Sequence, residues 1–219
     1  MHWQEEIDET AYTVPDNVMD LAYQIKCRTL PVDHAWPLAA AIHQALPWFA
    51  EEPLAGLHLI YGADSGNGWE RPRDAADILY LSRRTRLVLR LPKHRLPDAE
   101  ALTGQRLDVA DNLLEIGKGT PRLLGMTTTL YSRFVVDETD GDEDQFISAA
   151  VEGLRSLNLR FKKVLSGRRF AFSTPEGEIS TRSLMVAGLS LDDAVKLQEK
   201  GLGPLRNRGF GLFVPQKSV

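Results

Sequence analysis

The chain has 219 residues, 43% of them hydrophobic, and a formal net charge of −4. Length and composition allow one large domain or two small ones and exclude a chain without a core. A single cysteine, Cys27, excludes a disulfide framework and a cysteine zinc site, and no apolar run nears the roughly 20 residues that a membrane span needs.

From the N-terminus, residues 1–20 read as an acidic extension. "LAYQIKCRTL" (21–30) alternates as a strand. In "PVDHAWPLAAAIHQALPWF", Asp33 suits an N-cap and Pro37 falls in a first helical turn. Leu38, Ile42, Ala45 and Phe49 recur at helical spacing, and Pro47 marks the end. "LHLIYGAD" predicts a strand and "SGNGWERPRD" a loop. "ILYLSRRTRLVLRLP" predicts two strands around a basic turn, "PDAEALTG" a short helix stopped by Gly104, and "RLDVADNLLEIG" more strand. That order is β-α-β-β-α-β.

The order then recurs. "LYSRFVVD" is a strand, and "EDQFISAAVEGLRSL" a helix with Phe146, Ala150, Leu154 and Leu157 along one side. "LRFKKVLSGRRFAFST" and "EGEISTRSLMVAGL" supply strands around turns. "SLDDAVKLQEKG" is a helix capped by Ser190 and stopped by Gly201, and "FGLFVP" is the last strand. The expected fold is α+β: two tandem ferredoxin-like (RRM-like) β-α-β-β-α-β domains, 21–125 and 126–219, after the extension at 1–20. A single mixed sheet with extra strands is the structural alternative.

Charge is uneven along this plan. Residues 1–20 hold six acids and no Lys or Arg, which leaves 24 acids against 26 bases in the remainder. Six more acids fall between Asp137 and Asp144, and both segments read as solvated. The basic body permits an anionic partner. "DGDED" lacks the glycine and glutamate of a calcium loop, and no HExxH or Cys/His cluster occurs, so neither metal nor cofactor is expected. The acidic start has no basic n-region or apolar h-region, so no secretory signal is expected; the expected location is cytoplasmic, with no membrane partner.

The most distinctive stretch is "GLGPLRNRGFGLFVP" (201–215). It is no dinucleotide fingerprint, because a helix precedes it and a strand follows. Walker A chemistry would need Gly-Lys-Ser/Thr. "RGFGLFV" has the composition of the RNP1 strand of RNA-recognition motifs, but too little chain follows for that topology. What remains is a glycine-rich turn with two arginines, either a plain helix stop or a phosphate cradle.

Gly201-Leu202-Gly203 and Gly209-Phe210-Gly211 match the C-terminal glycine-rich loop of the CRISPR-associated repeat-processing endoribonucleases of the RAMP superfamily. "LPVDHAWPL", "GLH", "TLYSR" and "KLQEKGLG" resemble the compact MYXAN subtype of that family. Ile42-His43-Gln44-Ala45-Leu46 resembles a family motif whose histidine is catalytic. The resemblance spans residues 21–215. It implies two ferredoxin-like domains and metal-independent cleavage of CRISPR precursor RNA within its repeats. The ribose 2′-OH attacks the neighbouring phosphate, leaving a 2′,3′-cyclic phosphate and a 5′-OH. The implied partners are repeat RNA, often a hairpin, and other subunits of an effector complex. A non-catalytic RNA-binding subunit shares all these features except the histidine, and a protein scaffold using the acidic tail is the third reading.

Two histidines are candidate bases. His43 lies roughly 100° or more from the centre of the apolar helical stripe, so it belongs at its boundary or outside it. His34 follows Asp33 at a helix start, where the neutral imidazole is favoured. They are nine residues, or roughly 13 Å, apart along a helix, so one of them is a bystander or a binding residue. RNA contacts are expected from Arg83 and Arg84 at the first basic turn, from Arg133, and from Lys162, Lys163, Arg168 and Arg169 in a basic hairpin. Gly203, Arg206, Arg208 and Gly209 of the loop complete the set. His58, Tyr131 and the Lys162–Lys163 pair are secondary candidates for the chemistry.

Overall fold

The structure, a computed structural model, describes residues 12–62, 71, 72, 74, 77–139 and 141–216. Strands β1 (Val18–Lys26) and β2 (Thr29–Pro31) lead into α1 (Ala35–Ala45). Next come β3 (Gly56–His58), β4 (Ile78–Tyr80), β5 (Arg86–Pro92), the short α2 (Leu96–Ala99), β6 (Arg106–Val109) and β7 (Asn112–Arg122). The second half comprises β8 (Thr129–Val136), α3 (Glu143–Ser156), β9 (Lys163–Thr174), β10 (Gly177–Ala187), α4 (Leu191–Lys200) and β11 (Val214–Pro215).

The result is a mixed α/β molecule with antiparallel sheets. A five-stranded sheet runs β3-β5-β1-β7-β6, a four-stranded sheet runs β11-β8-β10-β9, and β2 pairs with β4. Leu21, Tyr23 and Ile25 of β1 and Leu87, Leu89 and Leu91 of β5 share one face, which buries Leu38, Ala39 and Ile42 of α1. A second core forms where Phe146, Ala150 and Leu154 of α3 and Ala194 and Leu197 of α4 cover Leu130, Leu184 and Val186. Ser190 caps α4, accepting from the Asp193 backbone N–H at 3.1 Å. No helix among the described residues is long and apolar enough to cross a membrane.

Several local expectations are corrected. Asp33 does not cap α1; His34 occupies that position without a side-chain cap, and Asp33 accepts from the Ser173 backbone N–H at 2.8 Å. The strand expected over 57–64 stops at His58, because the Ile60 N–H turns away to a histidine nitrogen. β4 pairs with β2 instead of β5, so the turn carrying Arg83 and Arg84 joins two sheets and is not a hairpin. "LSGRRF" is no turn either: β9 runs unbroken through it, and the chain reverses only after Thr174. The acidic stretch from Asp137 is not simply solvated. Asp137 is buried against Arg182 Nε at 3.0 Å, and Asp142 caps α3. β1 begins at Val18, inside the expected extension, and Tyr12, Val14 and Val18 pack with Leu124 and Val195. Residues 1–11 and most of the loop at 65–74 lie outside the described residues.

The two sheets meet through an aromatic cluster and a buried ion pair. Against β10, the register of β8 slips between Arg182 and Leu184, which inserts one extra β8 residue there. The bulge turns Phe134 away from the second core and into a cluster with Ala35, Leu59, Phe172 and Phe210. Phe134 meets Phe172 edge-on at 4.9 Å, and Phe172 meets Phe210 at 5.0 Å.

Asp20 and Arg90 face each other across the β1–β5 register. Arg90 is 1% exposed and binds both Asp20 oxygens, through Nε at 2.7 Å and Nη2 at 2.9 Å. Its Nη1 donates to the carbonyls of Gln198 and Phe213, at 3.0 and 2.8 Å, in the second half. Burial alone would raise the Asp20 pKa, but the charges of Arg90 and His58 overcome it and hold the carboxyl well below the usual range.

Replacing Arg90 with leucine strips four hydrogen bonds and leaves the half-buried Asp20 carboxylate without its guanidinium. The expected cost is about 3–5 kcal/mol in urea unfolding at neutral pH. Because the folded pKa of Asp20 is depressed, its contribution is present above its unfolded pKa of about 4 and is lost as pH falls below that. The deficit of the variant should therefore shrink in acid; a cost below about 1 kcal/mol at pH 7 would remove the pair from this role.

Candidate active site

The apolar face of α1 is fixed by Leu38, Ala39 and Ile42, each 0% exposed. Trp36 and His43 are separated by seven residues, close to two helical turns, and so share a different face. Both are half-buried. The segment that covers this face comes from the far end of the chain.

That segment is the glycine-rich loop. The Leu202 N–H donates to the Gly211 carbonyl at 3.0 Å, closing the loop on itself, and the Gly211 N–H donates to the Phe134 carbonyl at 2.7 Å. A Cβ on Gly211 (φ +67°) would lie 2.0 Å from the Leu202 carbonyl oxygen. One on Gly209 (φ +105°) would lie 2.3 Å from Leu59 Cδ2, in the first half. Both the positive φ and the close approach exclude side chains there.

Between these glycines, Arg206–Arg208 form one 3-10 turn that runs along α1. Asn207 Nδ2 donates to the Ala50 carbonyl at 3.0 Å. The Asn207 carbonyl lies 3.1 Å from His43 Nε2. A carbonyl only accepts, so Nε2 carries the hydrogen, and the lone pair of the neutral ring sits on Nδ1. One residue on, the Arg208 guanidinium carbon stands 4.0 Å from the Trp36 ring centroid. Burial lowers the His43 pKa below its ordinary value; the positive charge of Arg208 acts the same way, and the bond to Asn207 opposes them. The site therefore sets a neutral imidazole of fixed tautomer and a guanidinium seated over Trp36 on the same face of α1.

The other candidate base is differently placed. His34 is 2% exposed, with Nδ1 2.9 Å from the Pro31 carbonyl and Nε2 3.2 Å from the Ile60 N–H. Nδ1 must donate and Nε2 must accept, so both nitrogens are occupied. Burial pushes its pKa down to about 4. It is neutral, as expected of its position, but it serves to tie the start of α1 to the chain after β3.

The two loop arginines also diverge. Arg206 points inward, with Nη1 donating to the Glu199 carbonyl at 2.6 Å and Nη2 to the Leu54 carbonyl at 3.3 Å. Burial, with Arg90 nearby, lowers its pKa to about 10. It anchors the loop from within. Gly203 is exposed at the loop's outer edge. His58 lies 3.5 Å from Asp20 beneath the loop.

The remaining basic candidates are spread out. Arg133 lies over the Tyr61 ring at 4.9 Å and the Tyr131 ring at 5.9 Å, and burial pushes the Tyr61 hydroxyl up to about 12. Lys162, just before the edge strand β9, and Lys163, Arg168 and Arg169 along it are exposed. Arg169 donates to Ser180 Oγ at 3.0 Å and lies 3.8 Å from Asp137. Arg83 and Arg84 are exposed; Arg83 lines a groove of about 520 Å³ with Lys26, Arg86 and Glu115.

Trp36, Asn207 and Arg90 escape the sequence reading. Trp36 was within reach of it: a tryptophan seven residues before His43 and off the apolar stripe marks the same face. Asn207 acts through its backbone, so its side-chain chemistry carries no signal.

The model of the Cas6 CRISPR family matches residues 19–218. A curated relative from Myxococcus xanthus (strain DK1622), named CRISPR-associated endonuclease Cas6, is 27% identical over 197 residues, which cover 90% of this chain and 81% of the relative. Among solved structures, one titled CRISPR associated protein Cas6 aligns with a TM-score of 0.61 at 14% identity, covering 91% of this chain and 99% of that one. Another, titled as an RAMP protein binding different RNA substrates, also aligns at 0.61 and 14%, covering 90% and 98%. With a family model that spans nearly its whole length, the chain belongs to the Cas6 family of CRISPR proteins.

Proposed function

We propose that this chain is a metal-independent endoribonuclease that cleaves CRISPR precursor RNA within its repeats. Membership of the Cas6 family and the endonuclease named among its relatives support the substrate class. The observation that carries the reaction is the contact between His43 and the Asn207 carbonyl. In this reading His43 Nδ1 takes the proton of the ribose 2′-OH. The 2′-oxygen forms its bond to phosphorus as the bond to the 5′-oxygen breaks. The proton returns, from the imidazolium or through solvent, to the leaving 5′-oxygen. The products are a 2′,3′-cyclic phosphate and a 5′-OH, with no water consumed.

Arg208 supplies charge where it develops. Its guanidinium carbon lies over the Trp36 ring, and in this reading its N–H donors reach non-bridging phosphate oxygens. Lys162, Lys163 and Arg168 on the β9 edge would follow the RNA backbone, and A-form RNA offers them shape and phosphates more than base edges. The two sheets and their crossing helices correspond in this reading to two tandem ferredoxin-like domains, which present α1 and the loop to a single RNA. A hairpin repeat, a cytoplasmic location and company from other effector subunits accord with it.

Repeat RNA incubated with the protein in EDTA should be cut once per repeat, leaving 2′,3′-cyclic phosphate ends. Tight binding without cleavage would instead select an RNA-binding subunit. His43→Ala should lower single-turnover cleavage at least about a hundredfold while leaving RNA affinity and the melting temperature near native. His34→Ala should do the reverse and cost about 2–4 kcal/mol of stability, because it empties a buried site with two hydrogen bonds.

The pH dependence has a definite sign. A general base works when deprotonated, so kcat/KM should rise through the free-protein pKa of His43 and level off above it. Since that pKa is lowered, the midpoint should fall below the ordinary histidine value of about 6.5. A rate that still climbs above pH 8 would exclude His43 as the base.

A further inference from the structure

Trp36 meets the chemistry above at Arg208. The indole stands in the first turns of α1, half-buried, and the guanidinium carbon lies 4.0 Å from its ring centroid. That distance is the stacking range for a planar cation on an aromatic face. A free arginine on a turn samples many rotamers, and fixing one costs up to roughly 2 kcal/mol of side-chain entropy. Stacking settles that cost before any substrate arrives.

The direction of the chain makes the placement specific. The 3-10 turn meets α1 at two points, the Asn207 carbonyl on His43 and Arg208 on Trp36. Phe210, two residues further, packs in the cluster with Ala35. So the turn runs from the C-terminal end of α1 toward its N-terminal end, and its two functional contacts fall on one helical face. Asn207 and Arg208 are adjacent in the chain, so holding one constrains the other. Around His43, Phe49 (ring centroids 5.9 Å apart) and the Asn207 carbonyl are uncharged, and Arg208 is the cation that acts on the imidazole.

We propose that Trp36 is a positioning residue. Its indole face holds the Arg208 guanidinium on the helical face that carries His43, with its donors free to meet the phosphate that His43 serves. The inference rests on the reading of His43 and Arg208 given above, but it concerns the free protein and is testable there. Trp36 acts through Arg208, so its loss should matter only while Arg208 is present.

The test is a double-mutant cycle with two readouts. First, the His43 pKa is measured by NMR titration in the native protein, Trp36→Leu, Trp36→Phe, Arg208→Ala and the Trp36→Leu/Arg208→Ala pair. Trp36→Leu should raise the pKa in the native background, as Arg208→Ala does, and have no further effect in the Arg208→Ala background. Trp36→Phe, which keeps a ring for stacking, should stay near native. Second, single-turnover cleavage of repeat RNA at pH 8 should fall about tenfold in Trp36→Leu and recover in Trp36→Phe, with no additional loss in the double variant. A Trp36→Leu protein whose His43 titrates as in the native chain, while Arg208→Ala shifts it, overturns the proposal. So does a leucine effect of equal size with and without Arg208. If the NMR cycle holds and the native protein cleaves no RNA, the functional reading fails and the positioning role stands.

Discussion

A backbone carbonyl can accept a hydrogen bond and cannot donate one. The active face of this protein depends on that asymmetry. The Asn207 carbonyl, 3.1 Å from His43 Nε2, fixes which ring nitrogen carries hydrogen and which is free to take one. A side-chain partner could be titrated, rotated or substituted, whereas a carbonyl held in a closed loop has one orientation. The closure comes from the glycines: the loop can fold onto Leu202 and Leu59 only where a Cβ is missing. In this protein the glycine-rich loop is first a scaffold for a histidine; the phosphate contact is the second role proposed for it.

The loop can reach α1 only if the two sheets are locked together. Arg90 does much of this from the centre of β5, where its guanidinium spans from Asp20 to carbonyls flanking the loop on both sides, Gln198 and Phe213. Arg206 repeats the device nearer the surface with Glu199 and Leu54. The β8 bulge adds an apolar counterpart by turning Phe134 into the shared cluster. Buried guanidiniums suit this task because several directional donors leave one planar group, and each carbonyl they reach fixes a further degree of freedom. The cost of burying such a charge is offset by Asp20, whose own pKa is held down in return.

How much of this was legible depended on how local the cause was. Helix α4 could be read from Ser190 to Gly201 because its cap and stop act within a turn of themselves. The strand–helix order of both halves followed from periodicity in the same way. His43 could be placed off the apolar stripe, but its partner lies 164 residues away and is a backbone atom, so spacing held no trace of it. Arg206 and Arg208 look equivalent in sequence; one 3-10 turn sends the first inward and the second onto Trp36. His34 was expected to be neutral from its place at a helix start. It is neutral because it is buried, and burial by distant elements removes it from solvent-facing chemistry. Arg90 is a lone charge in the apolar run "LVLRLP", and only the register with Asp20 gives it a meaning.

The central claim is that the loop sets the tautomer of His43 before RNA binds. Nitrogen-15 NMR of the free protein above the His43 pKa measures this directly, since protonated and unprotonated ring nitrogens resonate far apart. The expected spectrum has hydrogen on Nε2 with Nδ1 bare, and shifts toward a mixture of tautomers when Gly209→Val pushes the loop off Leu59. Hydrogen on Nδ1 in the native protein, or a tautomer indifferent to the loop, would contradict it.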